Sequence, residues 1–149
     1  MKQVTVLMVF SVIVVALCSS ERINAAAQAG PKVKLWAAIG VAQPVFQLHE
    51  TENMAMSFVV VNDGEIMADP SVESSHLFVN GVEPKDWSFV IGNGPRNAYF
   101  KALPPGQILS FGYQLGPRYF STPGIYSVRW EGPNYKSAEV TFRVTPSGR

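Results

Sequence analysis

From residue 32 onward, apolar side chains recur at every second position, in short runs separated by Gly, Pro, Asn and Asp. A period of two places successive side chains on opposite faces of an extended chain, whereas an amphipathic helix needs a period of 3.6. The clearest cases lie in the second half. Leu109, Phe111, Tyr113 and Leu115 alternate with Ser110, Gly112 and Gln114; Tyr126, Val128 and Trp130 alternate with Ser127, Arg129 and Glu131; Val140, Phe142 and Val144 alternate with Thr141 and Arg143. Each run predicts a strand with one buried face. No segment beyond residue 30 predicts a helix.

The first half reads the same way. Residues 32–42 predict a first strand, which Pro44 breaks before a second segment around 45–49. Residues 54–61 are the most apolar stretch beyond residue 30, and their lack of alternation predicts a central strand covered on both faces, ended by the turn Asn62-Asp63-Gly64. Residues 76–79 predict a short strand closing in Asn80-Gly81, the dipeptide of a tight hairpin, with residues 87–91 expected to pair back before Gly92-Asn93-Gly94-Pro95. Residues 97–103 are expected to form a further strand. Pro104-Pro105-Gly106 and Pro123-Gly124 are rigid turns, and Gly132-Pro133-Asn134-Tyr135 joins the last two strands as a hairpin. Seven or eight short strands with no crossover helix fit an all-β fold, an antiparallel immunoglobulin-like β-sandwich.

The N-terminus predicts export. Lys2 precedes an apolar run over residues 4–18, and the small residues Ala25-Ala26-Ala27 follow, which is the layout of a signal peptide with cleavage after Ala27. The run is short for a membrane span. Leu17 before Cys18 argues against a lipoprotein, whose cysteine normally follows a small residue. Residues 1–27 are thus the expected signal peptide and residues 28–149 the secreted or periplasmic domain. Cys18 is the one cysteine, so that domain has no disulfide and no thiolate chemistry. With 12 Lys and Arg against 11 Asp and Glu, the formal charge of +1 offers no field for nucleic acid or anionic lipid.

The run Pro123-Gly124-Ile125-Tyr126-Ser127-Val128-Arg129-Trp130 resembles the penultimate strand of many immunoglobulin-like domains, where a Tyr stands two residues before an inward position. That position is Cys in disulfide-bonded members and Val128 here, a departure from the antibody pattern. The resemblance implies a tyrosine corner, with the Tyr126 hydroxyl bonded back to the preceding turn. More broadly, residues 102–144 resemble exported bacterial immunoglobulin-like domains in the turns Pro104-Pro105-Gly106 and Pro123-Gly124 and in the last strand, Val140-Thr141-Phe142-Arg143-Val144. Small bacterial proteinase-inhibitor domains are similar in the same places.

His49, Met54 and Met56, with Met67 and His76, are imidazole and thioether groups suited to copper. Met54 and Met56 lie two apart at the start of an apolar run, however, so they share one face and predict core packing, with no bound metal. Asp63-Gly64-Glu65 is too sparse in carboxylates for calcium and reads as a solvated turn. No Gly-x-Ser-x-Gly elbow and no His-Glu-x-x-His pair occurs, and Gly92-Asn93-Gly94 opens no expected helix that would cradle phosphate. The chain is therefore expected to be no enzyme and to carry no cofactor.

Loop residues are the remaining candidates for recognition: Arg96 beside Gly94-Pro95, Arg118-Tyr119-Phe120 beside Gly116-Pro117, and Tyr135-Lys136 beside Gly132-Pro133. Arg and aromatic side chains are enriched at binding hot spots, although Tyr119 and Phe120 equally suit plugs at the end of a sandwich. Trp36, Trp87 and Trp130 are expected in the core or half-buried on strands; on the surface they would suit carbohydrate stacking. The sequence thus points to an exported, non-enzymatic binding or structural module that recognises a protein or cell-envelope partner through loops or a sheet edge. A proteinase inhibitor acting through a rigid loop is the second reading, and a periplasmic copper-binding protein the third.

Overall fold

The structure, a computed structural model, describes residues 32–94 and 96–148; the expected signal peptide, its cleavage after Ala27 and the reading of Cys18 lie outside the described residues. Among the described residues, eight strands form two sheets. β1 (Leu35–Val41), β3 (Ala55–Asn62) and β5 (Ile108–Gln114) make a three-stranded antiparallel sheet with β3 at its centre. β2 (Val45–Gln47), β4 (His76–Val79), β6 (Gly124–Gly132), β7 (Tyr135–Lys136) and β8 (Val140–Thr145) make the second, in the order β2-β8-β6-β4, with β7 also paired to β6. The β class and the alternation of the last three long strands are as the sequence predicts.

The inner faces of the two sheets meet in aromatic contacts. Phe58 of β3 and Phe111 of β5 stack at 5.3 Å, and Trp130 of β6 stands edge-on to them at 5.2 and 5.8 Å. Offset stacked and edge-to-face contacts of this kind suit the ring quadrupoles and add to the burial of large apolar area. Tyr126, Val128 and Phe142 extend the core along the second sheet. The Tyr126 hydroxyl donates to the Thr122 carbonyl at 2.8 Å, the bond back to the turn that its position before Val128 implies.

The sequence expectations need correcting at five places. Residues 87–91 do not return as a strand: they form α1 (Trp87–Gly92). Trp87, Val90 and Ile91 are spaced i, i+3, i+4, so one helical face buries Trp87 and Ile91 and packs the half-buried Val90 against the core while Phe89 stays out in solvent. That spacing, with Pro84 just upstream, overrides the strand preference of Trp, Phe, Val and Ile. The Asn80-Gly81 turn itself forms, with φ of 49° and 79°, but it closes only the bridge between Val79 and Val82. Residues 97–103 hold a 3-10 turn over Ala98–Phe100, because the Asn97 side chain accepts from the Tyr99 amide and caps it. A second short helix, α2 (Gly116–Tyr119), follows β5 with Pro117 in its first turn.

The pairing is not wholly antiparallel either, because β2 runs parallel to β8. Pro44 ends pairing with β3, and the Pro44 carbonyl accepts from the Arg143 amide, so the chain passes to the second sheet. Lastly, β3 is central but buries only one face: Met56, Phe58, Val60 and Asn62 point inward, while Ala55 and Ser57 are exposed. Its outer residues Val59 and Val61 are half-buried, not buried.

Asn62, fully buried at the end of β3, makes a polar anchor. Its side-chain amide donates to the carbonyls of Ile66 and Leu103, both at 2.8 Å, and its side-chain oxygen accepts from the Gly64 amide. The turn signal Asn62-Asp63-Gly64 therefore also ties the chain before β5 to the sheet.

Candidate groove along the edge of β5

β5 is the edge of its sheet. Two bonds bracket its ladder to β3: Leu115 N–H donates to the Met54 carbonyl, and Asn62 N–H donates to the Gln107 carbonyl. In an antiparallel pair the bonded residues alternate. Hence residues 109, 111 and 113 bond to β3, while Ile108, Ser110, Gly112 and Gln114 turn their backbone N–H and C=O groups to the open side. A groove of about 340 Å³ lies along this edge, lined by Ser110, Phe111, Gly112 and Tyr113 on one side and by Arg96, Asn97 and Phe100 on the other.

The opposite wall is held rigidly. Arg96 donates to the Ile91 carbonyl at 2.8 Å, is ion-paired with Glu73, and lies 5.8 Å from the Phe100 ring. Lys101 reaches the same Glu73 at 3.1 Å. The Tyr113 hydroxyl lies 3.4 Å from the Ile91 carbonyl and directly against Gly94, where a Cβ would overlap it. Burial raises the Tyr113 phenol above its ordinary pKa, partly opposed by the charge of Arg96, so it stays a neutral donor at physiological pH. Chemically the groove offers backbone donors and acceptors of β5 that have no backbone partner among the described residues, three aromatic faces and one guanidinium. Among the described residues no three or more His, Cys, Asp or Glu side chains gather as metal ligands would.

Of the loop residues expected to bind, Arg96 alone lines this groove. Arg118 is ion-paired with Asp86, and the Tyr119 hydroxyl donates to the same carboxylate at 3.0 Å. Burial pushes the Asp86 carboxyl up, but the bonds from Arg118 and Tyr119 outweigh it and hold the group below its ordinary pKa. Desolvation and Asp86 both raise the Tyr119 phenol. This cluster ties α2 to the start of α1. Phe120 is fully buried, edge-on to Tyr126 and Phe142 at 5.0 and 4.9 Å, and belongs to the core instead of a binding surface. Tyr135 is likewise buried, packed on Trp130 at 4.9 Å, and burial raises its phenol strongly. Lys136 is exposed, 3.7 Å from Glu131.

The copper candidates are divided between core and surface. Met54 and Met56 are buried, whereas His49 and Met67 are exposed and His76 faces Glu83 at 2.8 Å. Trp87 and Trp130 are buried, but Trp36 is 58% exposed, against the expectation for a strand tryptophan. The residues that sequence reasoning missed are Phe100 and the groove-lining positions of β5. The alternation of β5 was visible, but which strand ends a sheet depends on pairing between distant segments.

No protein-family model matches the chain, and no curated protein matches it. A solved structure with a similar chain course is that of a novel β-glucosidase, EmGH1, from Erythrobacter marinus, at 15% identity and a TM-score of 0.49. The match covers 76% of this chain and 16% of the glucosidase chain. At that score the likeness carries no argument about this chain's activity.

Proposed function

We propose that the chain is an exported, non-enzymatic immunoglobulin-like domain that captures an extended segment of a protein partner by adding it to the free edge of β5. The order β1-β3-β5 facing β2-β8-β6-β4, the passage of the first strand from one sheet to the other, and the bond from Tyr126 to Thr122 support the immunoglobulin-like reading. The layout of residues 1–27 supports export.

The observation that carries the functional reading is the groove itself. Strand addition uses backbone hydrogen bonds for affinity and flanking pockets for side-chain choice. Ser110 and Gly112 supply the backbone groups, and Phe100, Phe111, Tyr113 and Arg96 supply the flank. The absence of a side chain at Gly112 leaves the approach open. A partner strand with an apolar or aromatic residue over Phe100 and an acidic residue near Arg96 fits best.

Selection of displayed random peptides against the purified protein tests this reading. Enriched peptides are expected to slow amide hydrogen exchange at Ser110 and Gly112 and to bind at least ten-fold more weakly to Gly112→Pro, which removes an outward N–H without touching the ladder to β3. Peptides that bind Gly112→Pro as well as the native protein would overturn it.

A further inference from the structure

The loop after β3 is short, exposed and held at both ends. Asp63 is tied to β1: its backbone amide donates to the Lys34 carbonyl, and its carboxylate accepts from the Lys34 ammonium and the Trp36 indole. Asn62, fully buried below the loop, donates to the Ile66 carbonyl at 2.8 Å. Ala68 is bound through both its backbone groups, its amide donating to the Leu103 carbonyl at 3.0 Å and its carbonyl accepting from the Leu103 amide at 2.8 Å. Asp69 then closes a turn, its carboxylate accepting from the Ser71 amide. Between these anchors Ile66 and Met67 are 37% and 55% exposed. Of Ile66, Met67 and Ala68, Met67 alone has neither backbone group bonded among the described residues.

We infer that residues 65–69 form an inhibitory loop that enters the cleft of a serine endopeptidase, with Met67 filling a primary pocket shaped for an unbranched apolar side chain. Three observations select this occupant. The first is rigidity around exposed apolar side chains. Ile66 and Met67 gain the fold little burial, whereas a segment already fixed in its bound shape loses little conformational entropy when a partner takes it. The second is the disposition of the carbonyls. A serine peptidase draws the carbonyl oxygen of the residue in its primary pocket into the oxyanion hole. Here the carbonyls of Ile66 and Ala68 are bonded to the body of the domain, and that of Met67 is left to the partner. The third is composition: residues 63–69 contain no Lys or Arg, so a pocket floored by a carboxylate is not matched.

The same anchors make the loop an inhibitor and not a substrate. Attack of the peptidase serine on the Met67 carbonyl carbon breaks the bond to the Ala68 nitrogen, which takes the serine proton by way of the peptidase histidine. Neither new end can leave. Ala68 is held by Leu103, Ile66 is held by Asn62, and Asn62 also donates to the Leu103 carbonyl, so one buried side chain ties both sides together. The Ala68 amine therefore returns to the acyl carbon, the peptide bond re-forms and the serine regains its proton. None of residues 63–69 lines the groove along β5, so this inference and the strand-addition reading stand or fall separately.

Assays of chymotrypsin, subtilisin and trypsin in the presence of the purified protein test the inference. The native protein is expected to inhibit chymotrypsin or subtilisin with a constant on the order of 1 µM or lower and to leave trypsin active. Met67→Asp is expected to weaken that inhibition at least about ten-fold, and Met67→Arg to transfer it to trypsin. Met67 is exposed, so both variants are expected to keep the native circular dichroism spectrum. Asn62→Ala, which frees the Ile66 carbonyl, is expected to be cut in the loop instead of inhibiting; should it fail to fold, the Met67 variants still decide. Absence of inhibition at about 100 µM protein, steady hydrolysis of the native chain between Met67 and Ala68, or inhibition unaltered by Met67→Asp would overturn the inference. So would a Met67→Arg variant without effect on trypsin.

Discussion

The hydroxyl of Tyr126 lies 2.8 Å from the carbonyl oxygen of Thr122, and 2.9 Å from the Thr122 hydroxyl, so a single strand residue closes the turn that leads into its own strand. Its ring remains in the core, 5.7 Å from Phe142 in a near-parallel stack. Tyr126→Phe removes the hydrogen bond and keeps the ring. We expect a loss of about 1–2 kcal/mol in urea unfolding with an unchanged spectrum; an unaltered unfolding curve would show that the bond contributes nothing.

Asn62 is a more costly residue to lose. Its side chain satisfies two carbonyls and holds the loop after β3. Asn62→Ala removes three hydrogen bonds, each worth about 0.5–1.5 kcal/mol, although the Leu103 carbonyl keeps the Ala68 amide as a donor, and we expect a total loss of roughly 2–4 kcal/mol together with faster proteolysis within residues 63–67. Equal stability of the variant and the native protein would contradict this account.

Gly116 sits where no side chain fits, since a Cβ there would overlap the Thr51 carbonyl oxygen. The neighbour is backbone and cannot swing aside. Gly116→Ala is expected to cost about 2–3 kcal/mol by overpacking, whereas Gly92→Ala, whose Cβ would meet nothing within 4 Å, changes stability little. Comparison of the two midpoints of denaturation checks this directly.

The Asp86 cluster predicts a pH dependence. The folded-state pKa of Asp86 lies below its unfolded value of about 3.9, so its contribution is present above that value and is lost as pH falls through the folded one. Asp86 and Arg118 are 43% and 44% exposed, so screening limits the pair to about 1 kcal/mol or less. Asp86→Asn is expected to be less stable than the native protein by that amount at pH 7, with the gap closing as pH falls below the unfolded value and through the folded one. A gap that is constant with pH would assign the effect to something other than the charge.

Met54 and Met56 are buried among apolar neighbours. Replacing both by Leu conserves volume, and each change is expected to cost under about 1.5 kcal/mol. Anaerobic Cu(I) titration is expected to give the same curve for the native protein and the double variant. Submicromolar binding lost on substitution would instead establish a thioether copper site.

Alternation in residues 109–115, 125–131 and 140–144 determined three strands and their buried faces, because a period of two is a local property that each strand carries whatever it pairs with. The same local logic gave the turns at Asn62-Asp63-Gly64 and Asn80-Gly81 and the shared environment of Met54 and Met56, while the bond that Tyr126 makes four residues back is what the resemblance of residues 123–130 to immunoglobulin-like strands implies. What the sequence left open is what depends on distant partners. Strand-favouring residues at 87–91 became helical once their i, i+3, i+4 spacing let Trp87 and Ile91 reach a core built by other segments. Phe120 and Tyr135 resemble recognition residues in their loops, but Phe120 is buried against Phe142 of β8 and Tyr135 against Trp130 of the neighbouring β6. The edge position of β5 is likewise invisible along the chain. Alternation fixes which way a side chain points, but only the order of strands in the folded sheet decides which backbone groups are left without a neighbour, and it is those groups that make the groove.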